Sequence, residues 1–105
     1  MKRIIDTSEV LGSVELPTGT WEVCALADAG YDEEKRHLVV RLDACLRSTD
    51  LLKREERMKA EWLPAPQTVE ESVPLEEADD VAHDIFARWV RRVRQAAPPL
   101  HSPTL

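Results

Sequence analysis

No apolar run in the chain approaches the ~20 residues that a membrane-spanning helix requires. The start carries a basic pair, Lys2-Arg3, with no hydrophobic region behind it, so a secretory signal is not expected. The expectation is a cytoplasmic protein with no membrane partner. Cysteine is scarce: only Cys24 and Cys45 are present, in no CxxC pair and with no neighbours at metal-ligand spacing. In a reducing compartment both are expected as structural thiols. Positive charge is also short. Fourteen Lys and Arg stand against 20 Asp and Glu, a net charge of -6, which argues against a general nucleic-acid binder. The sequence holds no Walker loop, no GxGxxG and no GxSxG. It has no internal repeat.

The chain that remains after these exclusions is an ordinary globular one. Its 105 residues are 32% charged and 43% hydrophobic, which fits one domain with one modest core.

The clearest pattern lies around Tyr31. In an extended strand alternate residues share a face. Trp21, Val23, Ala25 and Ala27 then fall on one face of a first strand, and Leu38, Val40, Leu42, Ala44 and Leu46 on one face of a second. Arg41, Asp43 and Arg47 point the other way and would interrupt a helical stripe. A register with Tyr31 opposite Arg36 closes a hairpin around Asp32-Glu33-Glu34-Lys35. It sets Leu26 opposite Arg41 and Val23 opposite Ala44, and it brings both apolar rows to one face.

Upstream, Met1–Ser8 is expected as a short strand or a loose arm. Val10–Leu16 is expected as a strand weakened by Gly12. Leu16-Pro17-Thr18-Gly19-Thr20 suits a turn with Pro second and a left-handed Gly after it, joining these strands into a meander.

Downstream, Ser48, Thr49 and Asp50 are good N-caps for a helix over Leu51–Trp62, with Leu51, Leu52, Met58 and Trp62 near one face and Glu55–Lys59 as a supporting pair. Pro64 and Pro66 end it. Gln67–Val73 suits either an edge strand or an extended connector. Pro74 suits a helix start. From Leu75 to Ala96 the residues Ala78, Val81, Ala82, Ile85, Phe86, Trp89, Val90 and Val93 occupy half of a helical wheel, with acids early and Arg88, Arg91, Arg92 and Arg94 late.

The expected fold is therefore α+β. An antiparallel meander of three strands, or four if Gln67–Val73 joins it, is packed on one face by two helices. Residues 1–96 form the domain, and 97–105 a disordered tail.

Candidate chemistry is thin. Asp80, His83 and Asp84 are one helical turn apart and could converge on a metal, but such sites need further ligands. Only His37 and His101 remain. A solvated helix face, with Asp84 paired to Arg88, is the stronger reading. The four late arginines complement the helix dipole better than they serve a phosphate. Asp28–Glu34 is an acidic loop lacking the spacing of a calcium loop. No catalytic, cofactor-binding or metal-ligating set is expected.

Two function classes remain. The first is a non-catalytic interaction or self-association module, expected as a homodimer. It would work through the second sheet face, where Cys24, Leu26, Val39, Arg41, Asp43 and Cys45 lie. Within one chain, the alternative cover for that face is the N-terminal arm with Ile4 and Ile5. The second class is a small-ligand binder or enzyme, with an apolar pocket between the sheet and the C-terminal helix lined by Trp21, Trp62 or Trp89.

Overall fold

A computed structural model describes residues 1–53 and 55–101. Three long strands form the meander: β1 (Lys2–Leu16), β2 (Gly19–Asp32) and β3 (His37–Ser48). A 3-10 turn (Leu51–Lys53) follows, then β4 (Arg57–Met58), β5 (Gln67–Ser72) and one helix, α1 (Leu75–Ala96). All pairings are antiparallel. β4 and β5 both pair with the outer edge of β3, β5 beside His37–Leu42 and β4 beside Leu46–Arg47. Gln67–Ser72 is thus an edge strand, not a connector.

The two apolar rows do share a face, but the hairpin register sits two residues from the expected one. Tyr31 pairs with Leu38, Leu26 with Asp43 and Val23 with Leu46. The turn chemistry explains this. The Asp32 carboxylate accepts from the Glu34 and Lys35 amides at 3.1 and 3.2 Å, so Asp32 opens the turn and does not lie inside it. Arg36, at φ 52, occupies the left-handed region that closes it. An even shift preserves the faces and changes only who meets whom.

β1 is a single strand of 15 residues where an arm and a separate strand were expected. Two bulges, one between Arg3 and Ile5 and one between Val10 and Gly12, interrupt its alternation. Each reverses which face the following residues occupy. Val10 lies on the face of Cys24, and Val14 on that of Trp21. The N-terminal segment therefore extends the sheet and does not fold over it. Only Met1 turns onto that face, with its sulfur against Gly30.

α1 runs from the Arg36 end of the sheet toward the Ser13 end. Tyr31 donates its hydroxyl to the Val73 carbonyl at 2.6 Å, which ties the entry to the helix onto β2. The helix buries Ala78, Ala82, Ile85, Trp89, Val90 and Val93. It lies over a track of small residues, Ala25, Ala27, Ala29 and Ala44, which lets it approach the sheet closely. Trp89 Nε1 donates to the Asp43 carbonyl at 2.8 Å, so the largest side chain of the stripe buries no unsatisfied donor.

Among the described residues the second expected helix is absent. Asp50 does cap, accepting from the Leu52 amide at 2.9 Å, but only one 3-10 turn follows. Leu51 and Leu52 are 75% and 95% exposed, so a longer helix here would have no apolar face docked to anything. Lys59 turns away from Glu55 and binds the Asp43 carboxylate and the Ala44 carbonyl.

After α1 the chain returns to β1. Ser13 and His101 exchange both backbone hydrogen bonds at 3.1 Å, and Leu100 packs against the core. The segment up to His101 is docked where a disordered tail was expected. Residues 102–105 of that expectation lie outside the described residues.

Candidate interaction surface

The sheet has two faces and, among the described residues, one helix. Trp21, Val23, Leu38, Val40, Leu42 and Leu46 belong to the single core cluster that α1 closes. Cys24, Val39 and Cys45 are buried too, yet they stand outside that cluster. They lie on the opposite face. All six residues expected there are there. Leu26 is half-buried, and Arg41 and Asp43 keep about half or more of their side chains in solvent, at 61% and 46%.

The register builds this face row by row. Val10, Cys24 and Cys45 form a central row across three strands. Ser8, Leu26 and Asp43 form the next, and Asp6, Asp28 and Arg41 the one after. On the other side of the cysteines lie Ser13, Glu22 and Arg47. Charges of opposite sign alternate. Arg47 reaches Glu22 at 3.4 Å, and Asp28 lies between Arg41 at 3.8 Å and Arg3 at 3.9 Å. Lys59 pairs with Asp43. A hollow of about 400 Å³ opens around Leu26, walled by Asp6, Asp28, Arg41 and Asp43 and closed by Pro66-Gln67-Thr68. The surface is lower and more charged than expected, because Cys24, Val39 and Cys45 are largely buried.

Val10, Asp28 and Lys59 were not foreseen on this face. The bulge between Val10 and Gly12 puts Val10 and Val14 on opposite faces, and Lys59 arrives from a connection that was expected to be helical.

Cys24 and Cys45 are direct cross-strand partners, and both are free thiols. The Cys24 thiol lies 4.0 Å from the Glu22 carbonyl, and it also hydrogen-bonds the Cys45 sulfur. That hydrogen bond, with burial adding to it, pushes the Cys24 pKa well above the ordinary thiol range. The same bond lowers Cys45 from 9.0 to about 6, against its burial and with help from the Arg57 and Lys59 charges. Arg47 favours ionisation of Cys24, and Glu22 and Asp43 oppose ionisation of their neighbours. The two shifts run in opposite directions, so Cys45 is the thiol of the pair that ionises first.

The other candidates are separate from this face. His83 Nδ1 donates to the Asp79 carbonyl at 2.8 Å. Arg88 donates to the Asp84 carbonyl at 3.4 Å, where a pairing with the Asp84 carboxylate was expected. Asp80, His83 and Asp84 are all exposed on α1. Among the described residues no group of three His, Cys, Asp or Glu side chains is placed to hold a metal ion. A groove of about 210 Å³ does lie between α1 and β5, lined by Leu42, Val69, Trp89, Arg88 and Arg92. Trp21 instead donates to Thr18 Oγ1 at 3.0 Å beside the first turn. No described helix is long and apolar enough to cross a membrane. No family model, no curated protein and no solved structure matches this chain.

Proposed function

We propose that this protein is a non-catalytic self-association module, a homodimer that pairs the open sheet face with its own copy. The observation that carries this reading is surface in excess of a compact monomer. The chain exposes 6884 Å² at 11.9 kDa, whereas a monomer of that mass exposes roughly 5,900 Å². The difference is close to the ~800 Å² that each partner of a standard interface buries. The face opposite α1 offers a half-buried Leu26 ringed by Arg41 and Asp43, and its alternating charges suit an isologous pairing. Arg41 of one copy would meet Asp28 or Asp43 of the other around Leu26. The groove under α1 supports a small-ligand site less well, because its volume falls below the ~300 Å³ of ordinary ligand pockets.

Sedimentation equilibrium on the wild type, Leu26→Asp and Leu52→Asp tests this. A dimeric wild type, a folded monomeric Leu26→Asp and a dimeric Leu52→Asp are expected. A wild type that stays monomeric at high micromolar concentration refutes the proposal. So does a dimer broken by Leu52→Asp alone, which would place the interface on the exposed Leu51-Leu52 turn.

A further inference from the structure

We propose that Cys24 and Cys45 form a redox-active dithiol that closes reversibly to a cross-strand disulfide by exchange with a low-molecular-weight disulfide. The geometry comes first. Directly opposite residues of antiparallel strands have Cα atoms ~4.5 or ~5.5 Å apart, depending on their hydrogen-bonding class. Both distances fall within the ~4.4–6.8 Å that a disulfide bridges. Cross-strand Cβ atoms stand ~4.5–5.5 Å apart, a little wider than the ~3.8 Å typical of a disulfide. Closure therefore draws the strands together and stores strain, which makes the bond easily reduced.

Beside the pair the sheet edge is broken, so fewer backbone bonds hold β3 there. β5 pairs with β3 as far as Leu42 and β4 resumes at Leu46, so among the described residues Asp43, Ala44 and Cys45 have no strand beyond them. Lys59 and Trp89 take the Ala44 and Asp43 carbonyls there. Cys45, 7% exposed, lies at that break, and Cys24, 3% exposed, lies behind it.

The division of labour follows from exposure and acidity together, since Cys45 is both the less buried thiol and the more acidic one. The Cys45 thiolate attacks one sulfur of the small disulfide. The S–S bond of the small molecule breaks, and one of its halves leaves as a thiolate. Cys24 then releases its proton and attacks Cys45 Sγ in the mixed disulfide, expelling the second half. One protein thiolate and one thiol are oxidised to one disulfide, and the small disulfide is reduced to two thiols, one taking the Cys24 proton and the other a proton from solvent. The inference rests on the single chain: the proposed dimer would cover this row, so exchange would proceed in the dissociated monomer.

Oxidised glutathione is the probe. The folded chain, incubated with an excess of it and then alkylated, should lose both free thiols and the mass of two hydrogen atoms while remaining one chain. Trypsin should release Ile4–Lys35 joined to Leu42–Arg47. Dithiothreitol should restore both thiols. Cys24→Ser should stop at the mixed disulfide on Cys45, and Cys45→Ser should react on the order of tenfold more slowly. Both thiols staying free in the wild type under conditions that oxidise the unfolded chain would overturn the proposal. So would a product containing only inter-chain disulfides.

Discussion

Trp89 shows how much one residue can carry. It is 2% exposed, fills the middle of the α1 stripe and donates to a strand carbonyl that has lost its neighbouring strand. Trp89→Ala should cost about 3–5 kcal/mol. Trp89→Phe keeps most of the packing but strands the Asp43 carbonyl, and should cost about 1–3 kcal/mol. Urea denaturation measures both, and a wild-type midpoint in Trp89→Phe would refute the role given to the hydrogen bond. The cysteines add a pH signature. With Cys45 lowered to about 6 from 9.0, the folded chain binds fewer protons than the unfolded one between those values, so stability should rise across that window and fade as pH falls through 6. Above 9.0 the raised Cys24 reverses the sign, because the folded chain then holds a proton that the unfolded chain has lost. The pair should place a stability maximum near the ordinary thiol pKa. Urea midpoints measured against pH should show it in the wild type and lose it in a double Cys→Ala variant.

Elements were legible where one period governed them. α1 was evident to within its ends because a 22-residue stripe with acids first and arginines last has one physical reading. The faces of β2 and β3 were evident from strict alternation. β1 was not, because two bulges break its alternation, and a bulge leaves no mark that distinguishes it from a strand's end. The connection after β3 misled for the opposite reason. Its caps and helix formers are real, but helix propensity cannot hold a segment whose leucines reach no core. The six open-face residues were placed correctly because parity survives an even register shift. The opposition of Cys24 and Cys45 was hidden by that same shift, whose cause is a side-chain hydrogen bond of Asp32. The docked return at His101 was illegible, since it rests on Gly12. A Cβ there would stand 2.5 Å from the His101 carbonyl oxygen, and the residue sits at φ +150. Gly12→Ala should therefore cost about 1–3 kcal/mol. Truncation after Ala97 should cost a comparable amount, through the loss of Leu100. Because both act on one contact, the double variant should fall well short of their sum, and full additivity in a denaturation cycle would contradict the arrangement.

At the scale of the molecule, length dominates. A 15-residue strand spans ~50 Å, and the longest axis of the chain is 49 Å against 27 and 26 Å across it. The radius of gyration is 15.3 Å, where a compact chain of this size has ~13 Å. That shape generates the surplus surface on which the proposed dimer rests. If the charged rows around Leu26 hold two copies together, the association should weaken as salt rises toward 1 M, where screening acts within ~3 Å. Salt-independent association would point to an apolar contact elsewhere.

The same long strand fixes how the fold would bear a load. Met1 lies against Gly30 at one end of β1, and His101 is bridged to Ser13 near the other. A force drawing residues 1 and 101 apart would act along β1, parallel to its own axis. The load would pass along the β1 backbone to the two hydrogen bonds of the Ser13–His101 bridge, which would yield first. The fold would thus release its C-terminal return before its sheet.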